Sequence, residues 1–113
     1  MSLLLQDIYS ETKDNYHLEL VCGAGGLNRL MNWVYVAEDI ATTDFLHGGE
    51  LIITTGMGKQ ASPGWLADFI HELFRQGTCG LILNTGMYLS EGDITPEIRS
   101  FCEEHSYPLF TMP

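Results

Sequence analysis

The residues best suited to chemistry sit in two related turns. Leu51-Ile52-Ile53-Thr54-Thr55-Gly56-Met57 is echoed by Leu81-Ile82-Leu83-Asn84-Thr85-Gly86-Met87, and in each case an aliphatic run ends in hydroxyl or amide side chains and a glycine. Ligands in open α/β sheets bind beyond the carboxyl ends of the parallel strands, where loops expose polar groups. Thr54, Thr55, Gly56, Asn84, Thr85 and Gly86 therefore define a candidate polar cup for a small ligand. The alternative is purely structural: each glycine permits positive φ and each threonine caps the chain as it leaves its strand. Glu38-Asp39, after another apolar run, is the acidic pair best placed to bind a cationic or amide-bearing ligand.

Other patterns fall short of a reactive site. Gly23-Ala24-Gly25-Gly26 would need a further glycine where Asn28 stands to match a dinucleotide fingerprint, so it reads as a turn. His71-Glu72 lacks a second histidine at position 75, which is Arg75, and reads as a solvated helix face. His47-Gly48-Gly49-Glu50 has no accompanying nucleophile elbow, and its glycines turn the chain into the next strand. Glu38, Asp39 and Asp44 do not follow the alternating spacing of a calcium loop. No metal, cofactor or catalytic residue is expected.

Fifteen acidic residues against five basic ones give a formal charge of -10, and the basic residues are scattered. A phosphate backbone would meet net repulsion over most of such a surface, so nucleic-acid binding by this chain itself is not expected. Cys22, Cys79 and Cys102 are odd in number and show no C-x-x-C spacing, which suits reduced thiols in a core and a cytoplasmic location. Neither a signal peptide nor a membrane anchor is expected in the segment Met1 to Leu5, and Met1 to Leu3 read as partly a leader added in cloning.

The elements that must position these residues follow from periodicity. A short helix is expected over 4–12, a half-buried strand over 16–22, and a strand buried on both faces, hence central, over 33–37. Thr42 to Leu46 suggests a single helical turn. Ser62-Pro63 supplies an N-cap and first-turn proline for a helix that carries Leu66, Phe69, Ile70 and Leu73 on one face and stops at Gly77. Thr95-Pro96 opens a second such helix, and strands are expected over 51–54, 81–84 and 108–112. That alternation predicts one α/β domain over residues 1–113, with a mixed sheet in which at least three parallel strands are joined by right-handed crossover helices. Trp33, Tyr35, Trp65, Met57, Met87 and Tyr88 offer a docking surface if exposed, although most are expected as core or loop packing.

Three segments taken in order carry a resemblance: Gly25-Gly26-Leu27-Asn28-Arg29, then Asn32-Trp33-Val34-Tyr35-Val36-Ala37-Glu38, then Phe45-Leu46-His47-Gly48-Gly49-Glu50-Leu51-Ile52-Ile53-Thr54-Thr55-Gly56-Met57-Gly58. Together with Gly80-Leu81-Ile82-Leu83 and Tyr107-Pro108-Leu109-Phe110, they resemble the N-terminal domain of PucR-family transcriptional regulators over nearly the whole chain. A basic residue usually precedes Gly-Gly-Glu-Leu in that family, whereas His47 stands here. The first segment is also similar to the N-terminal domain of bacterial HPr kinase, which suggests a shared layout without kinase chemistry.

The resemblance implies a non-catalytic regulatory domain of a purine catabolism-type regulator, with DNA bound through a C-terminal helix-turn-helix region that this chain lacks. The expected partners are a small-molecule effector or a second copy of the chain, and no membrane. The alternatives are a homodimerisation or docking module without a small ligand, and, further off, a small α/β enzyme using Glu38, Asp39 and the Thr-Gly turns.

Overall fold

The computed structural model describes residues 3–113, the side chains of Gln60 and Ala61 excepted. Met1 and Ser2 of the expected leader lie outside the described residues, while Leu3 belongs to a short strand, β1 (Leu3–Leu4), paired with Leu30–Met31, β3. A five-stranded sheet forms the body: β2 (Glu19–Cys22), β4 (Trp33–Val36), β5 (Glu50–Thr54), β6 (Gly80–Asn84) and β7 (Leu109–Met112), in the order β2-β7-β6-β5-β4. β4, β5, β6 and β7 run parallel and β2 antiparallel to β7. The expected mixed α/β sheet is present, with one more parallel strand than the minimum.

Two helices cover one face. α2 (Trp65–Arg75) places Trp65, Leu66, Phe69, Ile70 and Leu73 on a single buried stripe, against a cluster that includes Ile52, Leu81, Leu83 and Leu109. α3 (Pro96–Glu104) buries Ile98 and Cys102, and its Thr95 hydroxyl accepts from the Ile98 N–H at 3.2 Å, as the cap residue predicts. α1 (Leu5–Tyr16) lies on the other face, where Leu5 joins Leu18, Leu51, Ile82 and Phe110 in a second cluster and Tyr9 packs on Phe110 at 5.3 Å.

Three boundaries differ from expectation. α1 continues through Lys13-Asp14-Asn15 to Tyr16 because these polar residues occupy its solvent side, with the Lys13 ammonium 5.7 Å above the Tyr9 ring and in the last turn. His17 then ends the helix at φ 54, so the following strand begins at Glu19, not at Tyr16. Ser62 and Pro63 do not cap α2: residues 57–61 form a 3-10 turn, the Ser62 carbonyl accepts from the Trp65 N–H at 3.2 Å, and Gly64 takes the N-cap position without a side-chain bond. The turn after β4 is a 3-10 helix, Ile40–Phe45, close to the expected single turn.

The largest correction concerns β4. It is the edge of the sheet, with all four residues exposed, and not a central strand. A run of apolar residues marks both faces as suited to burial but does not say whether anything in the same chain covers them. The docking-surface residues divide likewise: Trp33, Tyr35, Met57 and Met87 are exposed, Tyr88 is half-buried and Trp65 is in the core.

All three cysteines are free and buried. Burial pushes the Cys79 thiol up to about 12, and burial also raises the Tyr107 phenol, whose hydroxyl is 2.7 Å from Thr78 Oγ1. For Cys79 the folded pKa lies above the ordinary value of 9.0, so its contribution to stability is complete below about pH 9 and is lost as pH rises toward about 12. Cys79 should therefore contribute up to about 1.4 kcal/mol per pH unit to the fall in unfolding free energy, read by urea titration, from about pH 9 upward, beside the losses from the Tyr107 phenol and the Cys102 thiol. Cys79→Ala should lessen that fall, and an unchanged fall would assign the alkaline loss elsewhere.

Candidate functional site

The carboxyl ends of β4, β5 and β6 lie side by side and bring Glu38 against the first of the two turns. The Glu38 carboxylate accepts from Thr54 Oγ1 at 2.7 Å, from Thr55 Oγ1 at 2.8 Å and from the Thr55 N–H at 3.0 Å. Thr54 is fully buried, and its hydroxyl oxygen also accepts from the Gly56 N–H at 3.3 Å, which closes the turn. Glu38 is half-buried, and its Oε2 takes the Thr55 hydroxyl at 2.8 Å and a longer share of the Thr55 N–H at 3.3 Å, so the acceptor capacity that remains on the carboxylate is at Oε2. Asp39 faces its own turn, where Oδ1 accepts from the Thr42 N–H at 2.9 Å, and Asp44 is exposed.

The second turn is a neighbour and not a wall of the same cup. Gly56 has φ +84, and a Cβ there would lie 2.2 Å from Leu89 Cγ, so the buried Leu89 side chain packs directly on the first turn. The Gly86 N–H donates to the Leu89 carbonyl at 3.1 Å, and the Thr85 N–H to the Met112 carbonyl at 2.8 Å. Thr85 and Gly86 line an open concavity of about 560 Å³ with residues 87–91, while Asn84 ends β6 half-buried beside it. Lys59 clasps the two turns together: its Nζ donates to the Tyr88 carbonyl at 2.8 Å and meets Asp93 Oδ1 at 3.1 Å. Thus Glu38, Thr54, Thr55 and Gly56 form one network, and Asn84, Thr85 and Gly86 lie across Leu89 from it. Sequence reading had no signal for Leu89, because an isolated leucine in a polar loop does not reveal what it covers.

The other motifs have structural partners. The Glu50 carboxylate, buried at the start of β5, accepts from the His47 N–H at 2.7 Å and the Gly48 N–H at 2.8 Å. The Gly23 N–H donates to Glu103 Oε1 at 2.8 Å, and a Cβ on Gly26 would lie 2.0 Å from the Ser106 carbonyl oxygen, so this glycine run admits the 106–108 segment. His71 stacks on Phe101 at 4.1 Å and Glu72 pairs with Arg75 at 2.9 Å, both on the solvent side of α2. Among the described residues no group of three His, Cys, Asp or Glu is placed to hold a metal, and no buried side-chain nitrogen or oxygen lacks a partner. No helix among them is long and apolar enough to cross a membrane.

Polar groups gather at the carboxyl ends of parallel strands in a small mixed α/β domain, the position at which open α/β sheets bind ligands. Residues 8–113 match the purine catabolism regulatory protein-like family, PucR, and the chain belongs to that family. It is 30% identical over 94 residues to the purine catabolism regulatory protein of Bacillus subtilis (strain 168), an alignment that covers 83% of this chain and 17% of that protein. The chain thus spans less than a fifth of the length of the curated relative it matches. The family membership marks it as a domain of the purine catabolism regulatory protein-like type.

Proposed function

We propose that this is a non-catalytic sensing domain that binds a small amide-bearing effector at Glu38 and biases a DNA-binding region elsewhere in its regulator. The observation that carries the reading is the Glu38 carboxylate, held by two threonine hydroxyls and a backbone N–H at the strand ends, with acceptor capacity left on Oε2. A carboxylate fixed on one side by three donors presents its remaining lone pairs in a set direction, which favours a ligand N–H over water. Because the family is named for purine catabolism, purine bases are the first compounds to test. The acidic surface suits neutral or cationic heterocycles better than phosphorylated ones.

A thermal-shift series checks this. A purine base at about 100 times its Kd stabilises the fold by about 2.7 kcal/mol and raises the melting temperature by several degrees. Glu38→Gln replaces an acceptor oxygen by a donor NH2 and should abolish the shift while the unliganded domain stays folded. Equal shifts in the wild type and Glu38→Gln would remove Glu38 from the site, and no shift with any member of the panel would defeat the purine reading.

A further inference from the structure

We propose that β4 is a homodimer seam, at which two copies of this chain join edge to edge into one continuous sheet across a two-fold axis. The inference goes beyond the ligand reading and stands independently of it.

The backbone gives the geometry. The Ala37 N–H donates to the Ile53 carbonyl at 3.1 Å, and the register pairs Val34 with Leu51 and Val36 with Ile53. By alternation along a strand, Trp33, Tyr35 and Ala37 turn their backbone groups toward β5, and Val34 and Val36 turn theirs outward, where no further strand lies among the described residues. Natural sheets usually guard such an edge with lysine, proline, a bulge or a covering segment. Trp33-Val34-Tyr35-Val36 has no charged residue and no proline, and each of its residues has high strand propensity.

A second copy fits this edge because a two-fold axis requires antiparallel pairing and a self-complementary strand. With the axis at Tyr35, Val34 of each copy lies opposite Val36 of the other and exchanges both backbone bonds, and the two Tyr35 side chains meet on one face. Val34 and Val36 meet on the other face, where Val34 lines an apolar groove of about 250 Å³ beside Tyr16, Ile53 and Met112. Trp33 is 60% exposed, Tyr35 40% and Tyr16 59%. At about 200 Å² for a fully exposed aromatic side chain, these rings offer roughly 300 Å². That is about half of the ~600 Å² per partner at the lower end of specific interfaces, and the exposed valines and the strand backbone add to it. An interface of this size suits a weak, reversible dimer. The charge of -10 on each copy opposes association, so added salt should tighten it.

Sedimentation velocity of the chain over a range of concentrations, with cysteine crosslinking, tests the seam. The wild type should pass from monomer to dimer as its concentration rises, and Val36→Lys, which places a charge on the exposed edge, should shift dissociation at least tenfold with an unchanged melt. Tyr35→Cys sets two thiols opposite each other at a non-hydrogen-bonded position about 4.5 Å apart between Cα atoms, a separation a disulfide spans. Mild oxidation should give a covalent dimer with Tyr35→Cys at least tenfold faster than with Asp14→Cys on the solvent side of α1. Should Tyr35→Cys fail to fold, concentration-dependent exchange protection of the Val34 and Val36 amides in the wild type decides the question. A wild type monomeric at about 1 mM, a dimer unaffected by Val36→Lys, or crosslinking no faster than the control would each overturn the proposal.

Discussion

Phe69→Ala is expected to lower folding stability by about 3–5 kcal/mol, the range for removing a buried phenylalanine. Phe69 is at the middle of α2, fully buried, with its ring stacked on Trp65 at 4.6 Å. It packs in the cluster that holds Ile52 of β5 and Leu81 and Leu83 of β6, so the cavity would open under the strands that carry both turns. α2 is also the connection between β5 and β6, and a wall of sheet on one side and helix on the other leaves little room for collapse. A domain of this size has about 5–15 kcal/mol in total, so the variant loses roughly a fifth of its stability or more. Urea unfolding should show a lower midpoint with an unchanged slope, and Phe69→Leu should lose less than about 1.5 kcal/mol. A loss below about 1 kcal/mol for Phe69→Ala would mean that α2 does not seal the core.

Glu50→Ala should cost about 3–4 kcal/mol through a different cause. The carboxylate is 2% exposed and takes two backbone N–H groups of the loop that leads into β5. Hydrogen bonds to a charged group contribute about 1.5–3 kcal/mol each, and removal of the acceptor leaves both donors without a partner. Glu50→Gln keeps one acceptor oxygen but points an NH2 at the other N–H, so roughly half the loss should remain. The Gly-Gly-Glu-Leu motif is thereby a self-contained loop clamp: Glu50→Gln should lower the urea midpoint while leaving ligand response, measured at equal fractions folded, intact. Loss of ligand response without loss of stability would instead place Glu50 in a binding site.

Much of this was legible from residue types. The stripe Leu66, Phe69, Ile70 and Leu73 marked α2, Thr95-Pro96 marked the start of α3, and the aliphatic runs before Thr54, Asn84 and Met112 marked three strands that do lie parallel. The end of α1 was not legible, because Lys13-Asp14-Asn15 suits a helix's solvent face as well as a loop. The position of β4 was hidden for a deeper reason. An apolar run records that a strand is built for burial, and only the topology shows that this chain leaves it bare. Paired across a two-fold axis, the same strand would be interior, as its sequence pattern suggests.

At the site, Glu38 and the threonine hydroxyls were recognised as polar groups at strand ends, and they do meet. What residue types did not reveal is that Glu38 binds the threonines themselves and that Leu89 fills the space over Gly56. Both depend on how loops from separate strands fold over one another, which local spacing does not encode.

The most direct test of the sensing account is an NMR titration of the ¹⁵N-labelled domain with purine bases, read amide by amide. The account predicts saturable movement of the Thr54, Thr55 and Gly56 resonances with the first effective base and its loss in Glu38→Gln. Resonances that stay fixed up to about 1 mM of every base, or move only in the 85–91 turn, would contradict it.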